Sequence, residues 1–345
     1  MNQIKGRRIV LIGGAGFIGH NLAIALKQEG AEVSIIDGLQ VNNLLTFTNA
    51  TEMVNRDLYL YIINQRLELL RQSGIPLHVQ DARDYHALSR LLTELKPQVI
   101  VQLAAISHAG KSNKDPYSTF DHSLRTLENA LDNSRGTSVE HFIFFSSSMV
   151  YGDFPASGVV TEESPCEPLG IYGALKYAGE KIVIAYNQVF NLPYTIVRPS
   201  ALYGERCVSR RVGQVFIENA LQGMDVTVNG GGEERLDFTY IGDLVNGIKL
   251  VIQNDNAKNQ IFNLTYGDAA PISDMLDVLV EYFPNVRINY TERDNLMPVR
   301  GTLSVEKANR LIGYKPQWPL SQGFINYIEW YQSIWSSARP VLEPK

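Results

Sequence analysis

Arg8-Ile-Val-Leu-Ile-Gly-Gly-Ala-Gly-Phe-Ile-Gly19 is the stretch that decides the fold. A short apolar run, rich in β-branched residues, stops at a cluster of glycines. It reads as a buried parallel strand. Gly13, Gly16 and Gly19 stand at G-x-x-G-x-x-G spacing where the strand gives way to a helical pattern over Phe17–Glu29, closed by Gly30. Such a turn must bend sharply, bring main-chain N–H groups close to a ligand and let the helix lie tightly on the strand. Glycine meets all three demands. The helix N-terminus then presents its positive dipole end to phosphates. A second strand, Glu32-Val-Ser-Ile-Ile-Asp37, completes a βαβ unit, and the expectation is a dinucleotide site. Asp37 ends that strand, 18 residues beyond Gly19. A carboxylate there accepts from the adenosine ribose hydroxyls and repels a 2′-phosphate, so it favours NAD over NADP.

The alternation continues outward. Strands are expected over residues 75–80, 98–103, 141–146 and 194–198, with helices over 85–96, 118–134 and 172–190. This pattern predicts an α/β fold, a Rossmann-type doubly wound parallel sheet. Beyond residue 200 the pattern loosens into short segments (225–228, 238–241, 261–264, 287–290) and two helical stretches, 212–222 and 273–282. The expected division is an NAD-binding domain over 1–200 and a smaller C-terminal α/β substrate domain over 201–337, some of whose segments return to the first. A closing aromatic helix is expected over 322–335, followed by a tail at 338–345. Between Asp37 and Asp81 lies a long connection with helical spacing over 51–72, read as a helical insertion at about 45–74. A buried apolar stripe explains it, and a lid or an oligomer contact is the alternative.

The chain has 345 residues, a net charge of −5 and two widely spaced cysteines, Cys166 and Cys207. That balance does not suggest a nucleic-acid or membrane-surface partner. Two cysteines so far apart do not make a disulfide framework and are expected to be free thiols. The N-terminus lacks the pattern of a signal peptide, and no apolar run has the length of a membrane span. A cytoplasmic protein is the expectation, with no metal site.

Tyr172 and Lys176 are four residues apart, which puts them on one face of a helix. An ammonium beside a phenol favours the phenolate, and so makes tyrosine a usable acid/base near neutral pH.

Three motifs occur in order: Gly13–Gly19, Ser146-Ser147-Ser148 and Tyr172-x-x-x-Lys176. With Asp81-Ala-Arg-Asp84, Leu103-Ala-Ala105, Val150-Tyr-Gly152, Arg198-Pro199 and Arg300-Gly-Thr-Leu303, they resemble the extended short-chain dehydrogenase/reductase family. The likeness is to its nucleotide-sugar epimerase/dehydratase branch and spans nearly the whole chain. The resemblance implies that Gly13, Gly16, Phe17, Ile18 and Gly19 surround the pyrophosphate of NAD and that Asp37 holds its ribose. Asp81 and Ala82 would flank the adenine, and Leu103, Ala104 and Ala105 would line the cleft. It implies Tyr172 as acid/base, Lys176 on the nicotinamide ribose and lowering the phenol pKa, and Ser147 on the reacting hydroxyl. Ser148, Arg211, Arg235 and Arg300 are the candidates for holding substrate.

Position 149 separates reactions. Similar 4,6-dehydratases carry Asp-Glu after the Ser/Thr, the related decarboxylases keep the glutamate, and 3,5-epimerases carry a cysteine. Met149 cannot carry protons. What remains is Ser147, Tyr172 and Lys176, a set sufficient to oxidise and reduce one carbon. The expected function is therefore NAD-dependent epimerisation of a nucleotide-diphosphate sugar at C4 through a transient 4-keto intermediate. The alternatives are a 4-ketoreductase or dehydrogenase that exchanges NAD(H), a dehydratase or decarboxylase, disfavoured by Met149, and a non-catalytic NAD-binding sensor. The resemblance also implies a homodimer through helices 118–134 and 172–190. Ala201 and Leu236 depart from the family pattern at positions that normally touch the nucleotide-sugar.

Overall fold

In the computed structural model, residues 3–49, 53–106, 109–292 and 298–342 are described. Seven parallel strands form the central sheet. Their order is Gln260–Asn263, Tyr194–Arg198, His141–Phe145, Val99–Gln102, Arg8–Ile12, Glu32–Asp37 and Leu77–Val79. The first strand is central, and the chain winds away from it in both directions. The glycine turn therefore lies at the switch point between Glu32–Asp37 and Val99–Gln102, where doubly wound sheets bind ligands. The interior strands are buried along nearly their whole length, as a sheet covered on both faces requires.

The turn itself cannot accept side chains. Gly13 has φ +80, and a Cβ on it would stand 2.6 Å from the main-chain nitrogen of Ala104. A Cβ on Gly19 would stand 2.4 Å from the carbonyl oxygen of Gly14. The first is a demand of backbone conformation as well as space, and the second is a demand for close approach of the helix to the turn.

The seventh strand, Gln260–Asn263, comes from the C-terminal half of the chain and pairs with Tyr194–Arg198. The remaining pairings are two-stranded: Leu202–Tyr203 with Thr239–Tyr240, Val226–Asn229 with Ile288–Thr291, Arg235–Leu236 with Ala270–Pro271, and Val159–Val160 with Thr302–Leu303. Several elements differ from the sequence reading. A helix at Ile241–Gln253 stands where only a short segment ending at 241 was expected, and it packs on the first helix, Phe17–Gln28. The helix expected at 118–134 starts at Pro116 and carries a π-helical segment, Asp121–Arg125, between Pro116–Phe120 and Thr126–Asp132. The closing helix runs Leu320–Leu342, through most of the expected tail; 343–345 lie outside the described residues.

The connection after Asp37 holds two helices, Leu44–Asn49 and Arg56–Gln72; the expected stretch includes 50–52, outside the described residues. Its buried stripe is Leu58, Tyr59, Ile62, Ile63, Arg66 and Leu70, facing the closing helix and the first helix. Glu218, buried on helix Val212–Leu221, gathers three parts of the chain. It accepts from Asn55 (2.8 Å) and Tyr59 (2.7 Å) of the insertion, Gln214 (2.8 Å) of its own helix and Tyr331 (2.8 Å) of the closing helix. A buried carboxylate is tolerated because these donors replace its lost water.

The helix Gly170–Phe190 carries Tyr172 and Lys176 and is locked to the sheet by a buried ion pair. Arg198, at the end of its strand, donates Nε (2.9 Å) and Nη2 (2.7 Å) to Glu180. Ser146, past the end of the neighbouring strand, donates to the same carboxylate at 2.5 Å. Arg198 also donates to the Tyr151 hydroxyl (2.9 Å), which donates to Asn263 of the seventh strand (2.8 Å). Glu180→Ala would leave the guanidinium buried without its partner. The expected cost is about 3–5 kcal/mol of stability, read as a lower midpoint in urea unfolding.

Candidate functional site

A cleft of about 500 Å3 opens along the C-terminal ends of the strands. Gly13, Gly16, Phe17, Ile18, Gly19, Asp37, Asp81, Ala82, Leu103, Ala104 and Ala105 line one end, and Ser147, Ser148, Tyr172, Lys176, Arg211 and Arg300 line the other. One expected site residue is elsewhere. Arg235 lies on an exposed two-stranded ribbon and donates to the carbonyl of Ala269, so its guanidinium does not reach the cleft. It precedes Leu236, and a one-residue step along a strand reverses the side chain.

The glycine end fits NAD. A Cβ on Gly16 would meet only the Gly13 carbonyl, at 3.5 Å, so its main chain offers room at the first turn. Asp37 is held by the N–H groups of Ala15 (2.9 Å) and Leu39 (2.7 Å), one on each oxygen. One lone pair per oxygen is left for two hydroxyls. Burial raises its pKa against those two bonds, so an arriving pair of hydroxyl donors replaces solvation it lacks. Burial also pushes on Asp81, but hydrogen bonds from Arg83 and Gln40 overcome it and hold that carboxyl down at about 2.

At the other end, Lys176 is buried and donates to the carbonyl of Phe145 at 2.7 Å. Burial brings its pKa down to about 8, opposed by Glu180 one turn on. The Ser147 hydroxyl accepts from the N–H of Met149 (3.2 Å) and is hydrogen-bonded to the Tyr172 phenol. Burial raises the phenol pKa, while Arg211, Ser147 and Arg300 pull it back down. The Lys176 ammonium stands 6.0 Å from the centre of the Tyr172 ring while it donates to the Phe145 carbonyl, so it is a third cation near the phenol. Arg300 donates Nη1 to Ser148 at 3.1 Å, and its buried Nε has no hydrogen-bond partner among the described residues. Burial and the nearby Arg211 lower its pKa to about 10, so it stays cationic at neutral pH. An anion is the natural complement of such a pair.

The carboxylates among the described residues that line the cleft are Asp37 and Asp81, both at the glycine end. Met149 lines the end that holds Tyr172. Sequence reasoning missed Arg66, Gln40, Val41 and Asn42, which reach the cleft from the connection after Asp37. Arg66 had a signal: it occupies the position between Ile62 and Leu70 in a four-residue apolar stripe.

The family model described as NAD dependent epimerase/dehydratase family matches residues 9–265. The chain is 27% identical to a putative UDP-glucose 4-epimerase of Methanocaldococcus jannaschii, over 94% of this chain and 98% of that one. It is 26% identical to UDP-glucuronate 4-epimerase 4 of Arabidopsis thaliana, over 96% and 77%. The UDP-glucuronic acid 4-epimerase of Bacillus cereus, solved with UDP-glucuronic acid and NAD, superposes with a TM-score of 0.84. It is 25% identical over 94% of this chain and 99% of that one.

Removing a cation from beside the phenol should raise its pKa. In nucleotide-free protein, Arg300→Met is expected to move the Tyr172 titration to higher pH, read by ultraviolet difference spectroscopy against Tyr172→Phe. Lys176→Met is expected to move it in the same direction.

Proposed function

The chain belongs to the NAD dependent epimerase/dehydratase family, and from that premise we propose that it epimerises a UDP-sugar at C4 with retained NAD. The observation that carries this reading is the composition of the reactive end. Ser147, Tyr172 and Lys176 converge there, and among the described residues no carboxylate or thiol lines that end of the cleft. One site able to move one proton at one carbon suits oxidation and re-reduction, and lacks the second acid/base that elimination needs. The relatives named as UDP-sugar 4-epimerases support the same reading.

The residues divide the work as follows. The glycine turn, Asp37, Leu103–Ala105 and Lys176 hold NAD. NAD bound there would supply a reversible hydride acceptor for C4. Tyr172, as phenolate, takes the C4 hydroxyl proton as the 4-keto sugar forms, and gives it back when the alcohol is re-formed on the other face. Ser147 orients that hydroxyl. Lys176 is cationic below about pH 8 and orders the cofactor ribose. Arg211 and Arg300 hold an anionic group of the substrate, and for a UDP-sugar that group is the diphosphate. Residues 201–337 form the substrate-binding part, with Gln260–Asn263 returned to the sheet of the cofactor domain. Among the described residues no helix is long and apolar enough to cross a membrane. Free Cys166 and Cys207 suit a reducing cytoplasm.

The protein works as a homodimer in this reading. Helix Gly170–Phe190 leaves Ile171, Val189 and Phe190 exposed, and the neighbouring helix leaves Tyr117 and Phe120 exposed. Together they form an apolar face of the kind a second copy covers. Sedimentation should give a dimer, and Ala185→Glu on the exposed face should shift it to monomer. A monomeric parent protein would refute this.

The function is tested with UDP-glucose, UDP-glucuronate and the corresponding GDP-, CDP- and dTDP-sugars, with products separated and weighed. The expected result is a C4 epimer from a UDP-sugar, no net NADH, and nucleotide retained through purification. Net NADH without epimer would replace epimerase by an exchanging dehydrogenase. Tyr172→Phe is expected to lose about 10²–10⁴-fold in kcat while keeping its NAD.

A further inference from the structure

Arg66 sits mid-way along helix Arg56–Gln72 and is only 1% exposed, yet it lines the cleft beside the glycine turn and Asp37. Its hydrogen bonds run to main-chain carbonyls. Nε donates to Arg206 O at 2.8 Å, Nη2 to the same oxygen, and Nη1 points to Asn42 O at 3.5 Å. None of these acceptors carries a charge. Burial lowers its pKa to about 10, which leaves it fully cationic at neutral pH.

The surroundings add positive charge. Arg206 is close enough to oppose the Arg66 charge. Between the two and the first turn of helix Phe17–Gln28 lies His20, fully buried, with Nδ1 on Gly16 O (2.9 Å) and Nε2 accepting from Arg206 Nε (3.1 Å). That arrangement makes His20 the neutral, Nδ1-protonated tautomer. Burial and both arginines push its pKa far down, so it adds no charge of its own. The facing carboxylate is Asp37, whose oxygens already serve Ala15 and Leu39. Arg206 has Glu205 as a counter-charge of its own, whereas Arg66 and the helix N-terminus share one carboxylate, Asp37, at the glycine turn of the cleft.

A staple between the insertion helix and the Gly204–Arg211 loop needs hydrogen-bond donors and not a charge. Burying a guanidinium on neutral carbonyls is costly, and a nearby anion removes that cost. We propose that Arg66 is the fixed counter-charge for the pyrophosphate of NAD, and that through it the insertion helix sets how slowly the cofactor leaves. The inference rests on the cleft being an NAD site and is independent of which sugar is turned over.

Arg66→Gln keeps donors for the carbonyls and removes the charge; Arg66→Lys keeps the charge. Binding of adenosine, ADP and ADP-ribose is measured on nucleotide-stripped protein, with the rate of NAD release from protein as purified. The expected result for Arg66→Gln is a loss of about 10- to 100-fold for ADP and ADP-ribose, adenosine nearly unchanged, and faster NAD release. Arg66→Lys should stay close to the parent for ADP-ribose. Equal losses for adenosine and ADP-ribose, or no loss for either, would mean that Arg66 is a staple only. Should Arg66→Gln fail to fold, Arg66→Lys decides: a large loss for ADP-ribose with its charge retained overturns the proposal. Failure of the sugar assay alone would leave this result untouched.

Discussion

The ion pair between Glu180 and Arg198 is the interaction on which the geometry of the site depends. Helix Gly170–Phe190 has to present two side chains, one turn apart, over the ends of two strands. Apolar packing alone holds a helix on a sheet with tolerance for sliding, because it is non-directional. The two-pronged grip of Arg198 fixes both the height and the rotation of the helix. Ser146, on the same carboxylate, brings in the strand end that precedes Ser147. The three serines therefore have separate tasks. Ser146 points down into this lock, Ser147 meets the phenol, and Ser148 meets Arg300.

The same burial that makes the lock rigid sets the electrostatics above it. Tyr172 and Lys176 both stand where water is scarce, and burial disfavours the charged form of each. For the lysine, Glu180 offsets part of that effect from one turn below. For the phenol, the offset comes from the substrate side, through Arg211 and Arg300. Those arginines also complement an anionic substrate, and an anion arriving there would weaken their pull on the phenol. The charge state of the phenol is thus set by its burial and by the cations around it together.

Much of this could be read in the sequence because the controlling features are local. The glycine spacing reports a backbone that admits no Cβ at Gly13 or Gly19, and the Tyr172–Lys176 spacing reports a helix face. Strand–helix alternation located the strands of the sheet along the chain up to Tyr194–Arg198. What was not legible depends on distant partners. The seventh strand, Gln260–Asn263, looks like any other short apolar segment until it meets Tyr194–Arg198. Helix Ile241–Gln253 begins directly after the short strand Thr239–Tyr240, which hid its start. Arg235 and Arg300 read alike as arginines near family motifs, and only tertiary placement separates the one on the ribbon from the one at Ser148. Arg66 was concealed by its neighbours, since an arginine in an apolar stripe is easily taken for its edge.

The insertion helix ties separate parts of the chain together beside the cleft. The helix is anchored at one point to Glu218, and through it to the closing helix, and at another to the carbonyl of Arg206. The loop that follows Arg206 leads to Ser209 and Arg211 at the reactive end of the cleft. The segment that lines the glycine end of the cleft is therefore joined, through main-chain atoms, to the loop that carries Arg211 at the Tyr172 end, so a movement of one would be felt by the other.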